Sequence, residues 1–476
     1  FLMIRRPPRS TLDRSSAASD VYKRQNPTIS NGKIFVGTNN DSMRDPKHPG
    51  DRSILLCLDE KSGEFLWQLV IPKLKSGKVN DWESLGLLSS PTVVGNRVYV
   101  VSSRCEVICL DVEGLANGND GPYREEAVYV HLDTGKPPAK LGPKDGDIIW
   151  RYDMMDELGV FPHNASNCSV IVVGDMVYAC TSNGQDWTHS NVPSPLSPSF
   201  IALDAKTGEL KGEDDAGIGP NIYHGQWSSP SYGSVNGQGQ LFFGGGDGWC
   251  YAFNPKPDYD KAEDLDFLSK VWWYDANPPE YKKDKDCKEI KYPAAEGPSE
   301  INATPVFYND RVYIATGQDP EHGEGVGQLV CLDPTKTGDI TKSGTIWSYK
   351  GIKRTISTVS IDPTNGLLFI GDFSGFVHCL DADTGKVHWV YDMKAHMWGS
   401  TLAADGKVYV GDEDGDFVVL ASDKKMKVLS ETYFPAPIYS TPVVANGILY
   451  VATQSHLYAL YDEGRAKSAT DQIKSK

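Results

Sequence analysis

His163, Asn164, Asn167, His224, Gln226, Trp227, Glu300, Asn302, Arg354, His396 and Trp398 stand in the segments "PHNASN", "HGQWSSP", "EINATP", "RTISTV" and "HMWGST". Each segment runs into a short strand-forming stretch, and "GLLSSP" and "PIYSTP" share the pattern without the reactive groups. Imidazoles, amides, two indoles, a carboxylate and a guanidinium suit the capture of a small polar or flat ligand. Nucleophilic chemistry has no such support. No Gly-x-Ser-x-Gly, His-Glu-x-x-His or phosphate-loop pattern occurs, and Asp186 and His189, which could pair, have no nucleophile indicated beside them. The Ser-Ser, Ala-Thr and Ser-Thr pairs closing these segments read as structural caps on strand ends.

No metal centre is assigned. The nine cysteines include no Cys-x-x-Cys and no adjacent pair. The acidic "GDEDGD" from Gly411 falls where a turn between strands is due, so it reads as a solvated turn. "NGNDGPYREE" from Asn117 lacks the correctly spaced Glu of a calcium loop and reads as part of a surface insertion.

Positioning falls to a repeat. "CLDADTGKVHWVYD" from Cys379 recurs as "CLDEKSGEFLWQLV" from Cys57, as "ALDAKTGELKGEDD" from Ala202, and stretched as "CLDPTKTGDITKSGTIWSYK" from Cys331. Before each copy come a strand, a tight turn and a second strand. The turns are Asn31-Gly32, Gly95-Asn96, Gly174-Asp175, Asn309-Asp310, Asn365-Gly366, Asp405-Gly406 and Asn446-Gly447, with a looser "VNGQGQ" after Ser234. Such dipeptides supply the positive φ of hairpin turns. Eight hairpins, each followed by a third strand and a Trp-bearing fourth, predict an all-β, eight-bladed propeller of four-stranded antiparallel blades. Trp67, Trp150, Trp273, Trp347 and Trp389 are assigned to one slot between blades, with Gly212 and Leu429 near it in two others. Cys57, Cys109, Cys331 and Cys379 share a slot held elsewhere by Ala or Val, so they read as buried structural thiols.

Up-and-down strands put every tight hairpin turn on one face. The opposite face receives "GTNNDSMRDPKHPGDRS", "SNGQDWTHSNVPSPLSPS", "GQDPEHGEGVGQ" and the links between blades, which ring the mouth of the central channel. All eleven residues lie on those links, so the mouth is where ligand binding is expected.

Residues 1–25 stand apart, with six basic and two acidic residues in a chain of formal charge −16, which leaves −20 on the rest. They are expected to be a non-native, disordered leader, with the propeller over 26–462 and a polar tail over 463–476. The eighth unit offers three strands before the tail, so its blade is expected to be incomplete. A body at −20 repels nucleic acid and anionic lipid, and no apolar run approaches the ~20 residues of a membrane span.

The Asp-x-x-Thr-Gly-x-x-x-Trp signature over residues 26–462 resembles the pyrroloquinoline quinone (PQQ) repeat, and the chain is similar to quinoprotein-dehydrogenase-like propellers. The resemblance implies one of two functions: an exported ligand- or protein-binding scaffold, periplasmic or extracellular, or a PQQ- and Ca²⁺-dependent alcohol or sugar dehydrogenase. A lyase or hydrolase using mouth His and Tyr residues is a third reading. A quinoprotein would use Trp398 or Trp227 as the floor under the quinone, with Glu300 and Asn302 as Ca²⁺ ligands. Against that reading, Arg354 is the single Arg in the mouth segments, no mouth Asp offers a base, and the adjacent Cys-Cys of many family dehydrogenases is absent. The favoured expectation is a monomeric scaffold with a small molecule or protein at the mouth.

Overall fold

The computed structural model describes residues 26–261, 265–292, 294, 296–317 and 325–461. The leader 1–25 and the tail from 463 lie outside the described residues, as does the centre of the "GQDPEHGEGVGQ" loop.

Eight sheets with antiparallel meanders follow one another around a channel, and those of blades 3 and 4 each add a parallel pairing at the outer edge. Blade 1 runs Thr28–Ser30, Lys33–Asn39, Arg52–Asp59 and Phe65–Pro72, and the same four-stranded meander repeats through blade 7. First strands of neighbouring blades touch, so they line the axis. The eighth sheet has three strands among the described residues, Val443–Ala445, Ile448–Ala452 and Leu457–Leu460. The hairpin turns take the expected positive φ, as at Asn31 and Gly32 (53° and 71°) and at Asn446 and Gly447 (52° and 77°). At Asn365-Gly366 the turn is longer: the strands end at Asp362 and resume at Leu367, and Gly366 alone of the two goes positive.

The core is a ring of seams between blades. Phe35, Cys57 and Trp67 pack with Val98 and Ile108 of the next blade, and Ile34 and Leu58 close on Tyr450 of blade 8. Most seams are clasped at the outer side. The Asp of the repeat folds its turn: Asp381 Oδ1 accepts from Thr384 N (3.0 Å) and Oγ1 (2.8 Å), and Asp59 and Asp204 hold Ser62 and Thr207 alike. The Trp of the preceding blade then docks on that turn. Trp67, Trp150 and Trp347 donate through Nε1 to the carbonyls of Val112, Ala205 and Ala382, at 3.0, 3.1 and 3.0 Å. Each acceptor is the residue after the repeat Asp. A Cβ on Gly208 or Gly385 would lie 2.5 or 2.6 Å from the docked indole, and both glycines have positive φ, so no side chain fits there.

Blade 4 corrects one assignment. Trp272, not Trp273, occupies the slot: it is fully buried and pairs with Ala252, as Trp67 pairs with Cys57 and Trp389 with Cys379. Its Nε1 reaches the next blade through a relay, donating to Gln240 Oε1 (3.0 Å), whose Nε2 donates to Pro334 O (3.3 Å). Trp273 instead lies under the Lys270 ammonium. In blade 7 Ser430 pairs opposite Val419, so the slot there holds a hydroxyl. Gly212 of blade 3 faces Pro257, and the Asp258–Asp260 and Leu265–Leu268 strands of the neighbouring insertion cover that blade's outer edge.

The insertion after blade 2's third strand is more than surface elaboration. Tyr129 is 1 % exposed and donates its hydroxyl to Glu106 Oε2 at 2.6 Å, which roots the insertion in the seam between blades 1 and 2.

Cys57, Cys109, Cys331 and Cys379 are buried and free, and burial pushes each thiol up to about 12. In the native protein a thiol reagent is expected to label the exposed Cys287 alone, with the other eight reacting only on unfolding; mass mapping of the alkylated peptides checks this. For the clasp, Trp272→Phe leaves a buried amide without its donor and should cost about 1–3 kcal/mol. Trp273→Phe should cost less than about 1 kcal/mol. Urea unfolding of the pair decides the slot.

Candidate functional site

The mouth is built on a hydrogen-bonded belt. Just before seven of the eight first strands, a backbone N–H donates to a side-chain oxygen of the neighbouring blade. Asn26 N reaches Ser90 Oγ (3.1 Å), Ser90 N Ser169 Oγ (3.0 Å), and Ser169 N Ser229 Oγ (2.8 Å). Thr304 N reaches Thr358 Oγ1 (3.1 Å), Thr358 N Ser400 Oγ (2.8 Å), and Ser400 N Thr441 Oγ1 (3.0 Å). Thr441 N returns to Asn26 Oδ1 (2.8 Å) and shuts the ring. Between blades 4 and 5, Ser228 Oγ donates to Ala303 O instead (2.9 Å). The Ser/Thr pairs therefore tie blade to blade as well as ending strands.

Inside the belt lies a cavity of about 270 Å³, and Asn167, Trp227, Asn302 and Trp398 line it together with Ile356, Tyr439 and the belt hydroxyls. The remaining candidates surround it in three groups.

His163 and His224 form the first group, joined by His189 from the long blade-3 loop. Ring centroids lie 4.3 Å apart for His163–His224, 4.7 Å for His189–His224 and 5.1 Å for His163–His189. His163 and His224 are at most 1 % exposed, and Trp227 stands edge-on to His224 at 5.1 Å. Trp227 Nε1 donates to Ala165 O (3.0 Å), which fixes the indole between this group and the cavity.

Glu300, Asn302 and Arg354 form the second. Asn302 Nδ2 donates to Glu300 Oε1 (3.3 Å). Arg354 is 1 % exposed and its Nη2 donates to the carbonyls of Ala294 and Gly297 (2.5 and 2.8 Å), so the guanidinium is held in the wall. Burial pulls it below the usual arginine value, and the Glu300 charge opposes that shift.

The third group centres on Glu413. His396 Nδ1 meets Glu413 Oε1 at 2.7 Å and Trp398 Nε1 donates to Oε2 at 3.0 Å. His396 stacks on Phe373 (centroids 4.3 Å, planes within 5°), and Trp398 stands edge-on to Phe373 and Tyr439. Glu413 belongs to "GDEDGD", which is thus no purely solvated turn: Asp412 is fully buried and Glu413 half-buried.

Two candidates serve structure. Gln226 is 1 % exposed, with Nε2 donating to Ser199 Oγ (2.8 Å) and Asn183 O (3.3 Å). Asn164 adopts a left-handed φ of 58° and binds Val79 O and Trp82 N through its backbone. Sequence reasoning missed His189 as a partner of His163 and His224, and missed Glu413, Phe373 and Tyr439. The first three of these sit on loops between second and third strands, the face already assigned to the mouth.

The cavity does not fit PQQ. Its lining is amide, hydroxyl, indole and aliphatic, with neither Lys nor Arg, while the cofactor carries three carboxylates whose burial without cations costs several kcal/mol. Arg354 is directed to carbonyls and does not line the cavity.

The family profile described as outer membrane protein assembly factor BamB, a PQQ-repeat profile, matches residues 10–120, 344–427 and 375–468. The outer membrane protein assembly factor BamB of Nitrosomonas eutropha is 32 % identical over 97 residues, 20 % of this chain and 23 % of that protein. The match therefore spans under a quarter of that relative. Among solved structures, BamB from Moraxella catarrhalis superposes with TM-score 0.57 at 14 % identity, covering 94 % of this chain and 98 % of that one. The quinohemoprotein alcohol dehydrogenase of Comamonas testosteroni gives 0.55 at 13 % identity, covering 91 % and 71 %. At such identities the superpositions establish the fold alone.

Asp412 gives the mouth a pH signature. Burial, and then the neighbouring Asp416 and Asp414 charges, push it up to about 7, while Asp414 N and Asp416 N donate to its Oδ1. Unfolded, it titrates near 4. Between about 4 and 7 the folded chain keeps a proton that the unfolded chain has released, so this group's contribution to stability falls as pH rises through that window. Asp412→Asn keeps the acceptor oxygen and removes the penalty. It should be more stable than wild type at about pH 8 and nearly equal at about pH 4, measured by urea unfolding. With eight meandering sheets, the Asp-turn clasps and the profile match together, the chain is a PQQ-like β-propeller repeat protein.

Proposed function

We propose that this propeller is a non-catalytic, protein-binding scaffold of the periplasm or the extracellular space, and that a partner protein docks on the loop-bearing mouth face. The observation that carries this reading is exposed apolar surface on that face. Trp187 and Leu196, on the long loop of blade 3, are 53 % and 93 % exposed, and Met43 on the corresponding loop of blade 1 is 45 % exposed. Large apolar groups held on ordered loops of a rigid scaffold favour protein recognition. The relatives named as outer membrane protein assembly factors support the same direction. The uncharged cavity argues against the dehydrogenase alternative, since nothing in its lining neutralises a tricarboxylate. No helix among the described residues is long and apolar enough to cross a membrane.

A photoreactive side chain placed at 187 or 196 should crosslink one discrete partner in a bacterial envelope extract. The same group at Val94, 47 % exposed on the hairpin-turn face, should not. Equal crosslinking from both faces removes the docking reading. In parallel, PQQ with Ca²⁺ should leave the Trp227 and Trp398 fluorescence unchanged. Saturable quenching with dye reduction on alcohols or aldoses would restore the dehydrogenase.

A further inference from the structure

We propose that His163, His189 and His224 form a binding site for one divalent transition-metal cation of the imidazole-preferring class, such as zinc, copper, nickel or cobalt. One ring nitrogen from each residue lies within 4.8 Å of the other two. A tetrahedral ion bound at ~2.1 Å would bring such nitrogens to roughly 3.4 Å, so the rings have to draw together on loading.

The tautomer of His163 favours ligation. Its Nδ1 lies 2.6 Å from the Gln185 carbonyl, and a carbonyl can only accept. Nδ1 therefore carries the proton, and Nε2 presents its lone pair. A ligating histidine anchored through its other nitrogen is the arrangement that orients the ring and raises its basicity.

The backbone holds the ligands together before any ion arrives. Gln185 N donates to His224 O (2.8 Å), so one peptide segment braces two ligands. Gly184 passes between them: a Cβ there would lie 2.6 Å from His163 Cβ and 2.9 Å from His224 O. His189 adopts a left-handed φ of 52°, and the turn around it is closed by His189 N to Asp186 O and Asp186 N to Asn191 O (3.0 and 2.8 Å). A non-glycine residue at positive φ is held there by its surroundings, and the result aims the third imidazole at the other two.

Donor chemistry selects the ion. Three neutral nitrogens with no carboxylate in the set favour borderline metals and disfavour Ca²⁺ and Mg²⁺, which need oxygen ligands. Three protein ligands leave a tetrahedral ion one position for water. The site does not rest on the docking reading: Trp187, Leu196 and Met43 are not ligands, although His189 shares the blade-3 loop with the first two.

The test uses tag-free protein stripped with a chelator and titrated with Zn²⁺ by calorimetry, with native mass spectrometry giving stoichiometry. One ion per chain is expected, unaffected by excess Ca²⁺. His189→Ala, on a loop and outside the buried pair, should weaken zinc binding at least tenfold while leaving the metal-free melting temperature unchanged. His163→Gln should weaken it similarly. Cobalt should give a nitrogen-ligated visible spectrum in the wild type and lose it in His189→Ala. Failure of the stripped protein to bind zinc overturns the proposal. Zinc retained by both variants also overturns it, because the ion would then sit elsewhere, for instance at Asp45, His48 and Asp145.

Discussion

Around the channel, seven backbone N–H groups donate to side-chain oxygens of the neighbouring blade. This belt is the constraint on which the rest depends. A propeller blade buries its faces only against two neighbours, so stability is a property of junctions and not of blades. Each junction has three components: the belt at the mouth, an apolar seam in the middle, and a docked Trp at the rim in most blades. Each belt bond is worth only about 1 kcal/mol net. Its larger effect is geometric, because it fixes the height at which every link enters the mouth.

That geometry explains why the mouth is rich in polar groups and yet offers few of them to a ligand. Gln226 pins the blade-3 loop, Asn164 turns a corner, and Arg354 stitches carbonyls into the wall. Buried polar groups have to be satisfied, and where links converge the nearest partners are other links. What remains for the cavity is two indoles, a phenol, three amides and a ring of hydroxyls. Such a lining can hold a neutral or weakly polar group and cannot neutralise a polyanion.

The fold was legible because its signals are local and repeated. A positive-φ dipeptide, an Asp-Thr-Gly turn and a small residue opposite Trp each act within a few residues, and eight copies average out the exceptions. The Trp273 assignment failed at one such exception. Blades 2, 4 and 6 end in "WRYD", "WWYD" and "WVYD", and aligning those endings selects Trp272. A register shift beside the slot, at Ala252/Phe253 as at Cys57/Leu58 and Cys379/Leu380, obscures simple counting from the turn. The site was half legible. Link residues announce themselves by preceding strands, so Asn167, Trp227, Asn302 and Trp398 could be placed at the mouth. His189 and Glu413 come from loops with no repeated register, and their convergence on link residues is purely tertiary.

The two faces of the ring consequently diverge in what they can do. On the hairpin face, two-residue turns with positive φ leave little room for side-chain variety, because the backbone dictates Asn, Asp or Gly. On the mouth face the loops are free in length, and the belt beneath them is indifferent to their composition, since its donors are backbone groups. Loops can therefore bring a histidine or a glutamate over a link without disturbing ring closure. Glu413 does this for His396 and Trp398, and His189 does it for His163 and His224. A scaffold whose closure depends mainly on backbone donors, and whose second-to-third-strand loops converge on the channel mouth, concentrates these side-chain groups there.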